Sequence, residues 1–153
     1  MLRIAFLGTE LSILDTLRQS RCEVACVYLP PGWPLRMVRH KFSASVHGLW
    51  SSKASRHRLK AYRAIDRYAR KHGLPRVHSS RVWSRAVRAK LRDKGINLGV
   101  VANFDQRLPE ALLAIPENGF INLHPSLLPA YRGPNPLEYI LLNQEPTSGV
   151  TWH

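Results

Sequence analysis

Apolar and polar positions along this chain repeat with two different periods, and the periods change at glycine and proline. Leu2 to Leu7 is an apolar run broken only by Arg3, the pattern of a strand buried on both faces. Gly8-Thr9 then turns the chain. Ser12 to Gln19 carries Ile13, Leu14 and Leu17 at helical steps, and Glu23 to Leu29 is a second buried strand. Strand, helix and strand in so short a stretch open a parallel sheet. Pro30-Pro31-Gly32-Trp33-Pro34 ends the second strand, and no period is visible before about Ser55. Leu59, Tyr62, Ile65 and Ala69 then mark the inner face of a helix over Arg56–Lys71, stopped by Gly73 and Pro75. Ser79 or Ser80 is placed to cap a helix over Arg81–Lys94 with Trp83, Val87 and Leu91 inward. After Gly95 come a buried strand to Ala102, a short helix over Pro109–Ile115 and a strand over Phe120–Leu123. A helix over Pro136–Leu142 and the start of a last strand, Val150–His153, follow. Such alternation predicts an α/β fold in three layers around a mostly parallel twisted sheet.

With 153 residues, of which 44% are hydrophobic, the chain is long enough for one domain with its own core. Charge is distributed far less evenly than hydrophobicity. The formal net charge is +13, and 18 of the 23 Lys and Arg residues lie between Arg36 and Lys94, opposed there only by Asp66 and Asp93. Phe42, Trp50, Tyr62, Tyr68 and Trp83 are interleaved with them. Cations mixed with aromatics suit phosphate contact and base stacking. The partner implied is a polyanion, namely nucleic acid, a phosphorylated substrate such as a phosphorylated amine, or an anionic surface; a merely solvated basic face is the competing reading. Residues 30–58 read as a basic loop insertion. Cys22 and Cys26 match neither zinc nor redox spacing. In a strand they would share a face, too far apart to bond, so they read as free thiols suited to a reducing cytoplasm. No metal site and no membrane span are expected.

Candidate chemistry concentrates in Phe120-Ile121-Asn122-Leu123-His124-Pro125-Ser126-Leu127-Leu128-Pro129. In a strand, Asn122 and His124 project to one face, because side chains alternate. An amide donor beside an imidazole is a reasonable pair for holding an oxyanion and moving a proton. Ser126 is either a turn cap or a site hydroxyl. Phe104-Asp105-Gln106-Arg107-Leu108 follows a buried strand, and open α/β sheets bind ligands at the carboxyl ends of their strands. The lone Gly8 is not a dinucleotide fingerprint.

The block Asn-Leu-His-Pro-Ser-Leu-Leu-Pro, followed by Tyr131-Arg132-Gly133 and by Gly149-Val150-Thr151-Trp152-His153, resembles the folate-dependent formyltransferase family. The likeness is specific from Ile96 to His153 and looser from Met1 to Leu29. It implies the Rossmann-like formyltransferase fold and transfer of a formyl group from 10-formyltetrahydrofolate to an amine. It also implies that Asn122 and His124 are catalytic. Phe104, Gln106, Arg107 and Leu108 fall in the loop whose backbone meets the folate, and Ser126 and His153 fall beside the cleft. A third family residue, an Asp, lies beyond the Gly-Val-Thr strand, so residues 1–153 are expected to form a single catalytic domain incomplete at its C-terminal end. The opening Gly-Thr pair looks more like the methionyl-tRNA and sugar branches. The basic charge makes a methionyl-tRNA formyltransferase-like enzyme, with tRNA as its partner, the first expectation. A nucleotide-sugar amine formyltransferase is the second, and a non-catalytic homologue that binds folate or RNA is the third. Action on formylfolate with water as acceptor is a minor option.

Overall fold

A computed structural model describes residues 1–29, 53–79, 81–104, 106–133 and 135–153; of residues 53–56 and 58 it describes the backbone alone. Six strands form one sheet: β1 (Arg3–Gly8), β2 (Glu23–Leu29), β3 (Arg76–His78), β4 (Leu98–Ala102), β5 (Phe120–His124) and β6 (Thr151–Trp152). Their order is β3-β2-β1-β4-β5-β6. All neighbours are parallel except β5 and β6, which are antiparallel. The described helices are α1 (Leu11–Gln19), α2 (Lys53–Lys71), α3 (Arg85–Asp93), α4 (Glu110–Leu113) and α5 (Pro136–Leu142). The expected mostly parallel α/β architecture is present.

Burial divides the core between the two faces of the sheet. Leu14 of α1 and Tyr62, Ile65 and Ala69 of α2 pack on one face with Ile4, Phe6 and Val100. Val87 and Leu91 of α3 and Leu112 of α4 pack on the other with Ala5, Leu7 and Val101. Each helix contributes one apolar stripe, so the sheet lies between two helical layers.

Chain direction reverses its order at β1 and β4, and this switch is built tightly. Gly8 has φ +145°, and a Cβ there would lie 1.8 Å from the Ala102 carbonyl oxygen. The Thr9 amide donates to that same carbonyl at 3.1 Å, and the Thr9 hydroxyl donates to the Asn103 carbonyl at 3.1 Å. The Gly8-Thr9 turn thus laces β1 to the loop leaving β4. Gly99 is small for a similar reason, since a Cβ there would meet the Phe120 ring at 2.0 Å.

Several expectations need correction. The helix α2 starts at Lys53 rather than Arg56, so residues 53–58 of the supposed 30–58 loop are helical; residues 30–52 lie outside the described residues. The helix α3 starts at Arg85, not Arg81. Its cap is Ser84, whose hydroxyl accepts from the Val87 amide at 3.3 Å. Ser79 instead bonds Arg81, and Ser80 lies outside the described residues. Trp83 therefore precedes the helix and is 46% exposed, while Val82 fills the core. The strand β3 escaped the sequence reading because only Val77 of its three residues is apolar and buried. The two cysteines do not share a face. The β1–β2 register shifts between Ile4 and Ala5, so Ala25 and Cys26 both face the α3 layer, whereas Cys22 packs on the α1–α2 side. Such a shift is the effect of a β-bulge. Both thiols are free, and burial pushes the Cys26 thiol up to about 12, which keeps it protonated at neutral pH.

Candidate active site

The end of β5 carries the site. Phe120, Asn122 and His124 alternate with Ile121 and Leu123, and the packing shows which way they point. Phe120 packs into the core on the α3 side, whereas Leu123 packs on the α1–α2 side. Asn122 and His124 therefore share Phe120's face, one and two steps nearer the carboxyl end. Parallel pairing sets Asn122 beside Val101 and Leu123 beside Ala102. The loop leaving β4 and the end of β5 consequently open on the same crevice, next to the switch point between β1 and β4.

Asn122 is held by the last residue of the chain. Asn122 and His153 exchange backbone hydrogen bonds of 2.7 and 3.1 Å as an antiparallel pair. Their side chains lie on one face, with Asn122 Nδ2 2.9 Å from His153 Nε2. An amide nitrogen only donates, so His153 Nε2 accepts and its proton sits on Nδ1. The second Nδ2 hydrogen of Asn122 is left for another acceptor. His153 also stands edge-on to His124, ring centroids 6.1 Å apart. His153 thus joins the two expected catalytic side chains, in a role that aims Asn122.

His124 is held from the other side. Its Nε2 lies 2.9 Å from the Tyr131 carbonyl oxygen. The intervening turn contains the cis Leu128–Pro129 bond and is closed by Ser126, which is fully buried and donates to the Ala130 carbonyl at 2.8 Å. Thr151 of β6 pins the turn. Its hydroxyl donates to the Ser126 carbonyl at 2.8 Å and accepts from the Leu128 amide at 3.1 Å. Ser126 was a candidate for ligand contact, but its complete burial and its bond to Ala130 make it the keystone of the turn.

The β4 loop divides its labour in the same way. Gln106 accepts from the Val82 amide at 2.9 Å and donates to the Tyr28 hydroxyl at 3.4 Å, so its amide ties the loop to the scaffold. Phe104 meets the Tyr28 ring edge-on at 5.6 Å, and Phe104 and Leu108 pack against the core. Arg107 is exposed. Asn103 is exposed with φ 53°. Of this segment, Asn103 and Arg107 are left exposed, while Phe104, Gln106 and Leu108 are engaged with the scaffold. Asp105 lies outside the described residues. Thr151 and Tyr131 support the site and carried no assigned role in the sequence. Both stand in the quoted motifs, but their partners lie 25 and 7 residues away and appear only in the fold. Among the described residues no three His, Cys, Asp or Glu side chains converge as a metal site, and no helix is long and apolar enough to cross a membrane.

Asn122 and His124 thus stand at the carboxyl end of a strand in a doubly wound sheet, where such sheets bind ligands. The chain belongs to the formyl transferase family, whose sequence profile matches residues 8–153. It is 35% identical to a methionyl-tRNA formyltransferase of Thermus thermophilus, over 98% of this chain and 44% of that protein. It is 32% identical to one of Roseiflexus castenholzii, again over 98% of this chain and 43% of that protein. The chain thus spans under half the length of these curated relatives. Among solved structures it resembles a glycinamide ribonucleotide transformylase of Symbiobacterium toebii with TM-score 0.68 and 26% identity, over all of this chain and 65% of that one. It shares its fold with the Geobacillus kaustophilus counterpart, with TM-score 0.69 and 20% identity, over all of this chain and 73% of that one.

Proposed function

We propose that this protein transfers a formyl group from 10-formyltetrahydrofolate to a primary amine, with methionyl-tRNA as the acceptor. The observation that carries the reading is the placement of Asn122 and His124 on one face, beside the β4 loop, in a chain of the formyl transferase family. The folate supplies a formyl group on a nitrogen that can leave. The residues present fit it: Asn103 and Arg107 are exposed on the loop leaving β4, with Phe104 and Leu108 packed beneath as an apolar floor. The attacking amine forms the new C–N bond as the formyl oxygen takes negative charge. The unused N–H of Asn122 then donates to that oxygen. Donors aimed where charge develops lower the barrier most. His124, tied at Nε2, has Nδ1 available to take the proton from the attacking nitrogen and return it to the departing one.

Two features support tRNA as the acceptor: the name and 35% identity of the Thermus relative, and a net charge of +13. The free thiols suit a cytoplasmic setting. The test is formyl transfer by the protein at the full length of its gene, offered methionyl-tRNA and a nucleotide-linked amino sugar. Asn122→Ala and His124→Ala are each expected to lower kcat/KM by about 100-fold or more. Unchanged rates in both variants would remove the site assignment. A preference for the amino sugar would replace the acceptor, and folate binding without transfer would make the protein a binding homologue.

A further inference from the structure

Tyr131 is in an unusual conformation for a reason the sequence does not show. Its φ is 55°, in the left-handed region that bulky residues rarely adopt. Strained backbone of this kind persists only where its surroundings over-determine it, and it gathers at functional sites. The surroundings here are specific. The Tyr131 phenol donates to Glu145 and accepts from Asn143 Nδ2 at 3.1 Å. Both partners come from the segment just after α5, so the phenol bolts the turn to a separate element. The backbone carbonyl of the same residue meets His124 Nε2 at 2.9 Å, and the buried Ser126 hydroxyl approaches that carbonyl at 3.5 Å. A carbonyl only accepts, so Nε2 must carry a proton.

We propose that Tyr131 is a positioning residue for His124: its phenol, clamped by Glu145 and Asn143, holds the backbone conformation that presents the Tyr131 carbonyl to Nε2, and so fixes the imidazole as the Nε2–H form with Nδ1 turned to the reaction. The inference rests on the formyl-transfer reading for its use, but not for its geometry. The clamp also keeps the phenol itself out of the chemistry, since the hydrogen bond to Glu145 pushes the Tyr131 hydroxyl above its usual range. The proton that His124 moves is then confined to Nδ1. A ring free to flip would expose either nitrogen and lose the aligned fraction.

The test reads His124 directly, by NMR of the 15N-labelled chain, with its ring signals assigned by their loss in His124→Ala. In the unmodified chain the Nε2 proton is expected to exchange slowly with water. Tyr131→Phe should speed that exchange by about tenfold, the factor a single ordinary hydrogen bond supplies. The exchange of the β5 backbone amides should stay unchanged, which a general loosening would not allow. If Tyr131→Phe fails to fold, the double variant Asn143→Ala/Glu145→Ala, at two exposed positions, decides in its place. Nε2 exchange within twofold of the unmodified chain in the folded variant would overturn the clamp. In the transfer assay the same variant should lower kcat about five- to tenfold and leave KM unchanged. Faster Nε2 exchange in a protein that transfers no formyl group would uphold the clamp and sink the functional reading instead.

Discussion

Single atoms decide the geometry at the switch point. Gly8 lies under the Ala102 carbonyl, where a Cβ would stand 1.8 Å from oxygen, and its φ of +145° is closed to other residues. Gly8→Ala must push β1 from β4 or twist the turn. The expected loss is about 3 kcal/mol or more, combining overpacking with backbone strain. Urea unfolding of the pair checks it, and a loss under about 1 kcal/mol would mean that the two strands do not approach as described. The same scale governs Asn122. Its amide is oriented by His153, which engages one hydrogen of Nδ2 and leaves the other for an acceptor. That Asn122 and His124 share a face was legible from alternation alone. What holds each in place was not, because His153 and Tyr131 reach them through the β5–β6 pairing and the turn.

Among the elements, α2 depends on a charge arrangement. Eight of its residues are Lys or Arg, and Asp66 is its one acid. Asp66 accepts from Arg70 at 2.6 Å within the helix and from Arg76 of β3 at 3.0 Å. Partial burial raises its pKa, but the two guanidinium hydrogen bonds outweigh this and hold the carboxyl below its usual 3.8. The sign follows. A carboxylate with a depressed folded pKa adds stability above its unfolded pKa, and loses it as pH falls through the folded value. The stability difference between the unmodified chain and Asp66→Asn should therefore be constant at neutral pH and vanish as pH drops below about 4. Thermal melts across that range measure it; a gap that persists at pH 2 would show that charge is not the cause. The sequence placed α2 from its apolar stripe, yet could not show Arg76 beside Asp66, since β3 itself has too little pattern to read. The start of α3 is displaced as well: the sequence offers Ser79 or Ser80 as its cap, but Ser84 caps the helix and Val82 before it fills the core.

Across the whole molecule, charge and apolar surface sit at opposite ends of the sheet. Lys60, Arg63, Arg67 and Arg70, with Asp66 among them, line a shallow depression of about 550 Å³ along α2, near Arg76 of β3. At the other end, Leu137, Tyr139, Leu141, Leu142, Val150 and Trp152 are exposed around α5 and β6. If RNA lies along the basic end, its affinity must fall steeply with salt, because each neutralised phosphate releases counterions. Replacing Lys60, Arg63 and Arg67 with Gln together should reduce the slope of log affinity against log salt by about 2 to 3. Titration of tRNA at several ionic strengths gives that slope, and an unchanged slope would show α2 to be only a solvated face.

Fold class, most of the strands and helices, and the placement of Asn122 and His124 on one face were legible along the chain. Those features follow from period, from glycine and proline punctuation, and from short-range motifs, all local along the chain. Which side chains are spent inside the fold became clear only from contacts between distant segments. Ser126 and Gln106 looked like ligand contacts in the sequence. They became internal fastenings once the turn folded over one and Val82 and Tyr28 met the other. His153, Thr151 and Tyr131 acquired their roles from partners brought in by strand pairing and by the turn. A side chain's chemistry is written in the sequence, but whether its polar atoms are spent inside the fold or left for a ligand depends on contacts between residues distant in the chain.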